Sequence, residues 1–158
     1  MGLSNIIVPG FVAVVLLSGC KTPSPAIKAL KVQAPAAAWD ESSIVKADVT
    51  CDGIEDTIVL GRQKNTAWIG VVPGSAEASA KTKPMASSFP IGKHSQDSFC
   101  TRPVQIKLYD HDCDGGEYGT LHHCNPKKGC KDFSVADNNC DSFNFFWDTD
   151  GELSWWRN

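Results

Sequence analysis

The chain has 158 residues and a formal net charge of −3, with 18 acidic against 15 basic side chains. A weakly acidic chain without a basic stripe argues against nucleic acid as a partner. Every charged side chain follows residue 20, and the acidic ones sit singly or in turn-like clusters.

The first 19 residues contain no Lys, Arg, Asp or Glu, and 6–17 is an apolar run broken only by Pro9-Gly10. Such a run is shorter than the roughly 20 apolar residues that span a bilayer, and has the length of a signal-peptide core. It ends in Leu17-Ser18-Gly19-Cys20, which resembles the bacterial lipobox: a hydrophobic residue and two small ones before a Cys. The basic residues usual at the start of such signals are missing from Met1-Gly2-Leu3-Ser4-Asn5. The resemblance implies removal of 1–19, lipidation of the Cys20 thiol and acylation of its new amine. Several fatty chains such as palmitate on one residue make a stable membrane anchor, each buried CH₂ contributing about 0.8 kcal/mol. Lys21 follows the Cys, and by resemblance to enterobacterial sorting a residue other than Asp there implies the outer membrane, facing the periplasm.

Residues 20–38 are rich in Pro, Ala and Lys, and read as a lipidated Cys followed by a flexible tether. The globular part is expected over 39–158, one small domain near the lower end of the usual size range.

Within it the pattern is that of strands. Residues 56–60 and 67–72 are β-branched or apolar runs around a polar turn at 61–66, a hairpin pattern. Residues 75–88, rich in Ala, Ser and Lys, read as a loop, and 89–91 as a short strand. Val104, Ile106 and Leu108 alternate with Gln105, Lys107 and Tyr109, the clearest strand period in the chain. A long loop is expected over 110–129, then a short strand at 133–135. The aromatic-rich runs 142–147 and 152–157 meet through Asp150-Gly151, a hairpin signal. No stretch sustains a helical period, so the expected fold is all-β: a small, disulfide-stapled antiparallel domain, sandwich- or meander-like, with little helix.

Setting Cys20 aside, Cys51, Cys100, Cys113, Cys124, Cys130 and Cys140 make an even number, which in an exported domain implies three disulfides. Proximity along the chain favours Cys130–Cys140, Cys113–Cys124 and Cys51–Cys100. A zinc site using His122, His123 and neighbouring cysteines is the competing reading, but no C-x-x-C pair exists to support it.

The sharpest chemical feature is the loop Asp48-Val49-Thr50-Cys51-Asp52-Gly53-Ile54-Glu55-Asp56. Oxygen-bearing side chains at alternating positions, with Gly where the loop must turn, can converge on a hard cation. Residues 48–60 resemble the calcium loops of FG-GAP (integrin-type) repeats, which implies calcium on Asp48, Thr50, Asp52 and Asp56; Thr at the third position and Cys at the fourth depart from that pattern. A second acidic stretch, Asp110-His111-Asp112-Cys113-Asp114-Gly115-Gly116-Glu117, begins like an EF-hand but carries Leu121 where a bidentate Glu is required. The closing hairpin concentrates Phe143, Phe145, Phe146, Trp147, Trp155 and Trp156. More rings stand there than one core face holds, so Trp147, Trp155 and Trp156 are candidates for a binding surface.

No nucleophile elbow, zinc-protease helix, phosphate loop or dinucleotide fingerprint occurs. Cys51-Asp52-Gly53 with Asp56, the 96–100 segment, Cys140-Asp141-Ser142 and Leu153-Ser154-Trp155-Trp156-Arg157 resemble a group of bacterial periplasmic proteins with no assigned activity. The leading expectation is therefore a membrane-anchored periplasmic lipoprotein, not an enzyme, that binds a protein or glycan or supports the envelope, with structural calcium. An inhibitor or immunity lipoprotein against an envelope-attacking hydrolase is the second, and a small hydrolase with acidic catalytic residues the last.

Overall fold

The computed structural model describes residues 22–74, 83–93 and 95–157; the expected signal, Cys20 and most of the 75–88 loop lie outside them. Two antiparallel sheets hold 41% of the described chain and most of its regular structure, as the alternation and the turn residues imply. In the first, β1 (Ala38–Trp39) and β2 (Val45–Ala47) share one edge of β3 (Asp56–Gln63), followed by β4 (Thr66–Val72) and β5 (Met85–Pro90). In the second, β6 (Gln105–Asp110), β7 (Lys131–Ala136), β8 (Phe143–Trp147) and β9 (Leu153–Arg157) form a meander in chain order. The first hairpin turns on Lys64-Asn65 alone, tighter than the expected 61–66, because Gln63 pairs with Thr66. Residues 85–88, expected as loop, are strand, pairing with β4 through Ser87↔Ile69 and Ser88↔Trp68.

The sheets pack face to face through one core. Alternate residues of the first sheet (Ile58, Leu60, Ile69, Val71, Phe89) meet Phe133, Val135, Phe143, Phe145 and Leu153 of the second. Phe89 joins the layers, its ring centroid 4.8 Å from that of Phe143, while Phe133 and Phe145 stack at 4.9 Å within the second sheet. Fully burying one such side chain stabilises the fold by about 1.5–3 kcal/mol.

The opposite face of the first sheet is also covered, and here the tether expectation needs correction. Helix α1 (Pro25–Gln33) starts at Ser24, whose Oγ accepts from Ile27 N–H at 3.3 Å, with Pro25 at the first helical position. Ile27, Leu30 and Ala34 then recur at spacings of three and four and are buried. They settle on positions where the sheet has no side chain: a Cβ on Gly70 would lie 2.6 Å from Leu30 Cδ1, and one on Gly61 would lie 2.7 Å from the Trp39 ring. Three apolar positions suffice because the glycines let the helix and the indole approach the backbone closely. The globular domain therefore begins near residue 24, not 39.

On the second sheet the outer face carries the connection between β6 and β7. His111 meets Asp132, the Tyr118 ring stands edge-on to Trp156 at 6.3 Å, and Thr149 N–H donates to the His123 carbonyl at 2.7 Å. Asp148 organises the β8–β9 turn, its Oδ1 accepting from Asp150 and Glu152 N–H and its Oδ2 from the Ser154 hydroxyl.

Three disulfides close the molecule, with one expected pair present and two corrected. Cys113–Cys124 forms as proximity suggested; the others are Cys51–Cys130 and Cys100–Cys140. The reason lies in β7. Cys130 precedes this strand and Cys140 follows it, and six extended residues at about 3.3 Å each hold the ends about 20 Å apart. A disulfide tolerates only about 7 Å between Cα atoms. Each cysteine instead bonds outwards: Cys130 staples β7 to the β2–β3 loop of the other sheet, and Cys140 ties the β7–β8 turn to the segment joining the sheets.

Candidate functional site

Three places concentrate polar chemistry: the acidic loop before β3, a cavity beside β1 and β3, and a buried histidine beneath the β6–β7 connection.

In the acidic loop the carboxylates face backbone amides. Asp56 is fully buried, its Oδ2 accepting from Val49 and Thr50 N–H at 2.8 Å each and its Oδ1 from Gly74 N–H at 2.9 Å. Asp48 accepts from Asp52 and Gly53 N–H, and Asp52 from Ile54 N–H. Burial raises the Asp56 carboxyl above its ordinary value, with the Gly74, Thr50 and Val49 amides opposing. Among the described residues, Asp48, Asp52 and Asp56 do not bring three carboxylate oxygens within 4.8 Å of one another. As folded, Asp48, Asp52 and Asp56 accept from the loop's own N–H groups, with Thr50 among the donors to Asp56.

The cavity holds about 330 Å³. Its floor is apolar, from Leu60, Ala67, Ile91 and Pro103, and its rim carries Arg62, Arg102 and Asp40. Five separate stretches meet here, which is why no local motif announces it. Asp40 Oδ1 accepts from the Ser42 hydroxyl at 2.6 Å and the Ser42 N–H at 3.0 Å, and its Oδ2 lies 3.8 Å from Arg102. The Ser42 hydroxyl and amide, then the two guanidinium groups, hold the Asp40 carboxyl below its ordinary value. Two guanidinium groups against one carboxylate leave the mouth with a positive excess. An apolar floor under a few polar groups, at the small end of the ligand-pocket range, suits a small organic anion.

His111 is only 5% exposed and sits between two disulfides. Its Nδ1 lies 2.6 Å from Asp132 Oδ1, and its Nε2 is 3.0 Å from the Asn125 carbonyl oxygen. Two acceptors around one ring require a proton on Nε2 and another between Nδ1 and the carboxylate, so the buried pair is neutral overall. Burial pushes the Asp132 carboxyl up to about 6, against the opposing pull of His111. Nε2 also lies 3.5 Å from Cys124 Sγ and 3.9 Å from Cys113 Sγ. On the other side, Lys127 Nζ donates to the Cys51 carbonyl. Nε2, the atom a general base would offer a substrate, is occupied within the protein. The sequence placed His111 only within a failed EF-hand, and the proximity of Asp132 could not be read from residues 21 apart.

His122 and His123 are exposed, and His123 pairs loosely with Asp150 at 3.5 Å. Of the three aromatic candidates, Trp147 belongs to the core at 9% exposure and is withdrawn as a surface residue. Position on β9 explains the difference: Trp147 pairs with buried Leu153, whereas Trp155, opposite Phe145, packs beside Phe89 and Phe143 at the sandwich rim and stays 40% exposed, and Trp156 lies on the other face beside Tyr118. No helix among the described residues is long and apolar enough to cross a membrane. Compared with known proteins, the chain matches no family model, no curated protein and no solved structure.

Proposed function

We propose that this is a lipoprotein of the bacterial envelope, anchored through Cys20 at the outer membrane and facing the periplasm, that acts by binding rather than catalysis. Its ligand is a small organic anion, the carboxylate end of a peptide or an acidic sugar of a glycan. The observation that carries this reading is the pair Arg62 and Arg102 over the apolar floor of Leu60, Ala67, Ile91 and Pro103. A guanidinium group binds a carboxylate through two parallel hydrogen bonds, and the floor takes the attached apolar group. The occupied His111 Nε2 supports binding over hydrolysis.

Titration calorimetry with N-acetylated dipeptides and with a uronic acid tests the site. Saturable binding by at least one class is expected, weakened tenfold or more in Arg62→Ala/Arg102→Ala and unchanged in Trp155→Ala. Absence of binding by both classes, or binding indifferent to the arginines, would refute the pocket. The anchor has its own test: Cys20→Ser is expected to move the protein from the membrane to the soluble fraction, and full membrane retention would refute it.

A further inference from the structure

The cysteines around His111 have a geometry beyond that of a staple. Cys113 Sγ and Cys124 Sγ lie 3.9 and 3.5 Å from the same nitrogen, His111 Nε2. For a tetrahedral zinc with bonds of about 2.3 Å to sulfur and 2.0–2.1 Å to nitrogen, the sulfur–nitrogen edge is about 3.6 Å. Two edges of such a tetrahedron are thus already in place. Only the sulfur–sulfur edge differs, because Cys113 and Cys124 are bonded to each other, whereas two zinc-bound thiolates stand about 3.8 Å apart. The other ring nitrogen, Nδ1, faces buried Asp132 at 2.6 Å. A carboxylate behind the second nitrogen is the arrangement that fixes the tautomer and orientation of a metal-binding imidazole.

We infer that reduction of Cys113–Cys124 converts this cluster into a site for zinc or a similar soft divalent cation, held by His111 Nε2 and the thiolates of Cys113 and Cys124. The reductant is a dithiol. One of its thiolates attacks Cys124, the partly exposed half, while Cys113 is buried. The protein S–S bond breaks, a mixed disulfide forms, and the second donor thiol resolves it. Two electrons have then passed to the cystine, which becomes two thiols, and the donor leaves as its own disulfide. The cation displaces both thiol protons and the Nε2 proton, and the proton between Nδ1 and Asp132 stays. Nε2 gives up the Asn125 carbonyl for the metal, and the fourth position is left to water. Cys51–Cys130 remains the link between the sheets. The connection over 113–124 includes Gly115, Gly116 and Gly119, which lets the two cysteines part without moving β6 or β7.

The test uses the full mature chain in which a limiting dithiol, removed afterwards, has reduced Cys113–Cys124 alone, verified by mapping the free thiols, and which is titrated with Co²⁺ without oxygen. A thiolate-to-cobalt charge-transfer band with tetrahedral d–d bands is expected at one ion per chain, and zinc should bleach it. The oxidised protein should give no band, and Asp132→Asn should weaken zinc about 10- to 100-fold. If reduction unfolds the chain, circular dichroism should show the β signal returning as the metal is added. X-ray absorption on the zinc-loaded wild type should find two sulfurs and two nitrogen or oxygen atoms, those of His111 and water. A reduced chain that takes no ion, a band that persists in Cys113→Ser/Cys124→Ser, or a shell of four sulfurs overturns the site.

Discussion

His111 and Asp132 share a proton across 2.6 Å in an environment that almost excludes water. Neither partner can be removed alone without leaving the other buried and unsatisfied. His111→Ala is expected to cost about 3–5 kcal/mol, the usual penalty for breaking a buried pair from one side. His111→Phe/Asp132→Leu should cost much less than the two single replacements summed. Urea unfolding of the four proteins closes the cycle, and simple additivity would show that the pair is not coupled.

Helix α1 gives a second prediction. Gly70→Ala puts a methyl group into Leu30 and should cost about 1–3 kcal/mol by overpacking, while Leu30→Ala should cost about 2–5 kcal/mol by leaving a cavity. In both variants limited proteolysis should release the segment before β1 sooner than in the wild type. Equal protease resistance would mean that the helix adds nothing to the domain.

Asp137 links pH to stability. Burial alone would raise its carboxyl, but the N–H groups of Thr101, Asn139 and Cys140, at 2.8–2.9 Å, together outweigh it and leave the value lowered. A lowered folded value means stability that is present above the unfolded value near 3.9 and is lost as pH falls through the folded one. Asp137→Asn should therefore cost about 1.5–3 kcal/mol at pH 7, with the gap to the wild type narrowing below about pH 4. A gap independent of pH would count against the ionised form as the acceptor.

The acidic loop yields a test of its own. Because its carboxylates already serve N–H donors, millimolar calcium and a chelator should both leave the melting temperature in place. Asp56→Ala should still destabilise, by about 1–3 kcal/mol for each amide left without its acceptor. A calcium-dependent rise in melting temperature, abolished in Asp48→Asn, would instead establish the cation reading.

The disulfides should differ in weight with the length of chain they close. Cys51–Cys130 spans 79 residues and Cys113–Cys124 only 11. Chain entropy then gives about 4.5 kcal/mol for the first and about 3 kcal/mol for the second. Paired replacement by alanine, followed by urea unfolding, measures both.

Local signals were legible where they coincide with tertiary demand. The run around Ile58 and the turn before Gly151 predict a strand and a hairpin that form. The alternation of Val104, Ile106 and Leu108 also predicts a strand that forms, but only Ile106 packs against the core, while Val104 is 60% and Leu108 39% exposed. Trp147 and Trp155 show the limit: alternation sorts side chains onto faces, but whether a face meets the core or the rim depends on the partner sheet. The Ser24-Pro25 start with Ile27, Leu30 and Ala34 is a readable helix signal, obscured by Pro23 and Pro35 on either side of a short segment. The cavity at Arg62 and Arg102 and the His111–Asp132 contact were illegible, since each joins segments brought together only by the sheets.

Helix α1 also changes where the domain can go. A tether of 18 residues beyond an acylated Cys20 would have a contour of about 60 Å, enough to let the domain range far from the lipid. With the chain committed to structure from Ser24, only four steps remain, about 14 Å at full stretch. If Cys20 is acylated as proposed, the domain would be held at the bilayer surface, with the N-terminal end of its helix near the headgroups. The cavity at Arg62 and Arg102 would then sample only what comes within reach of that membrane.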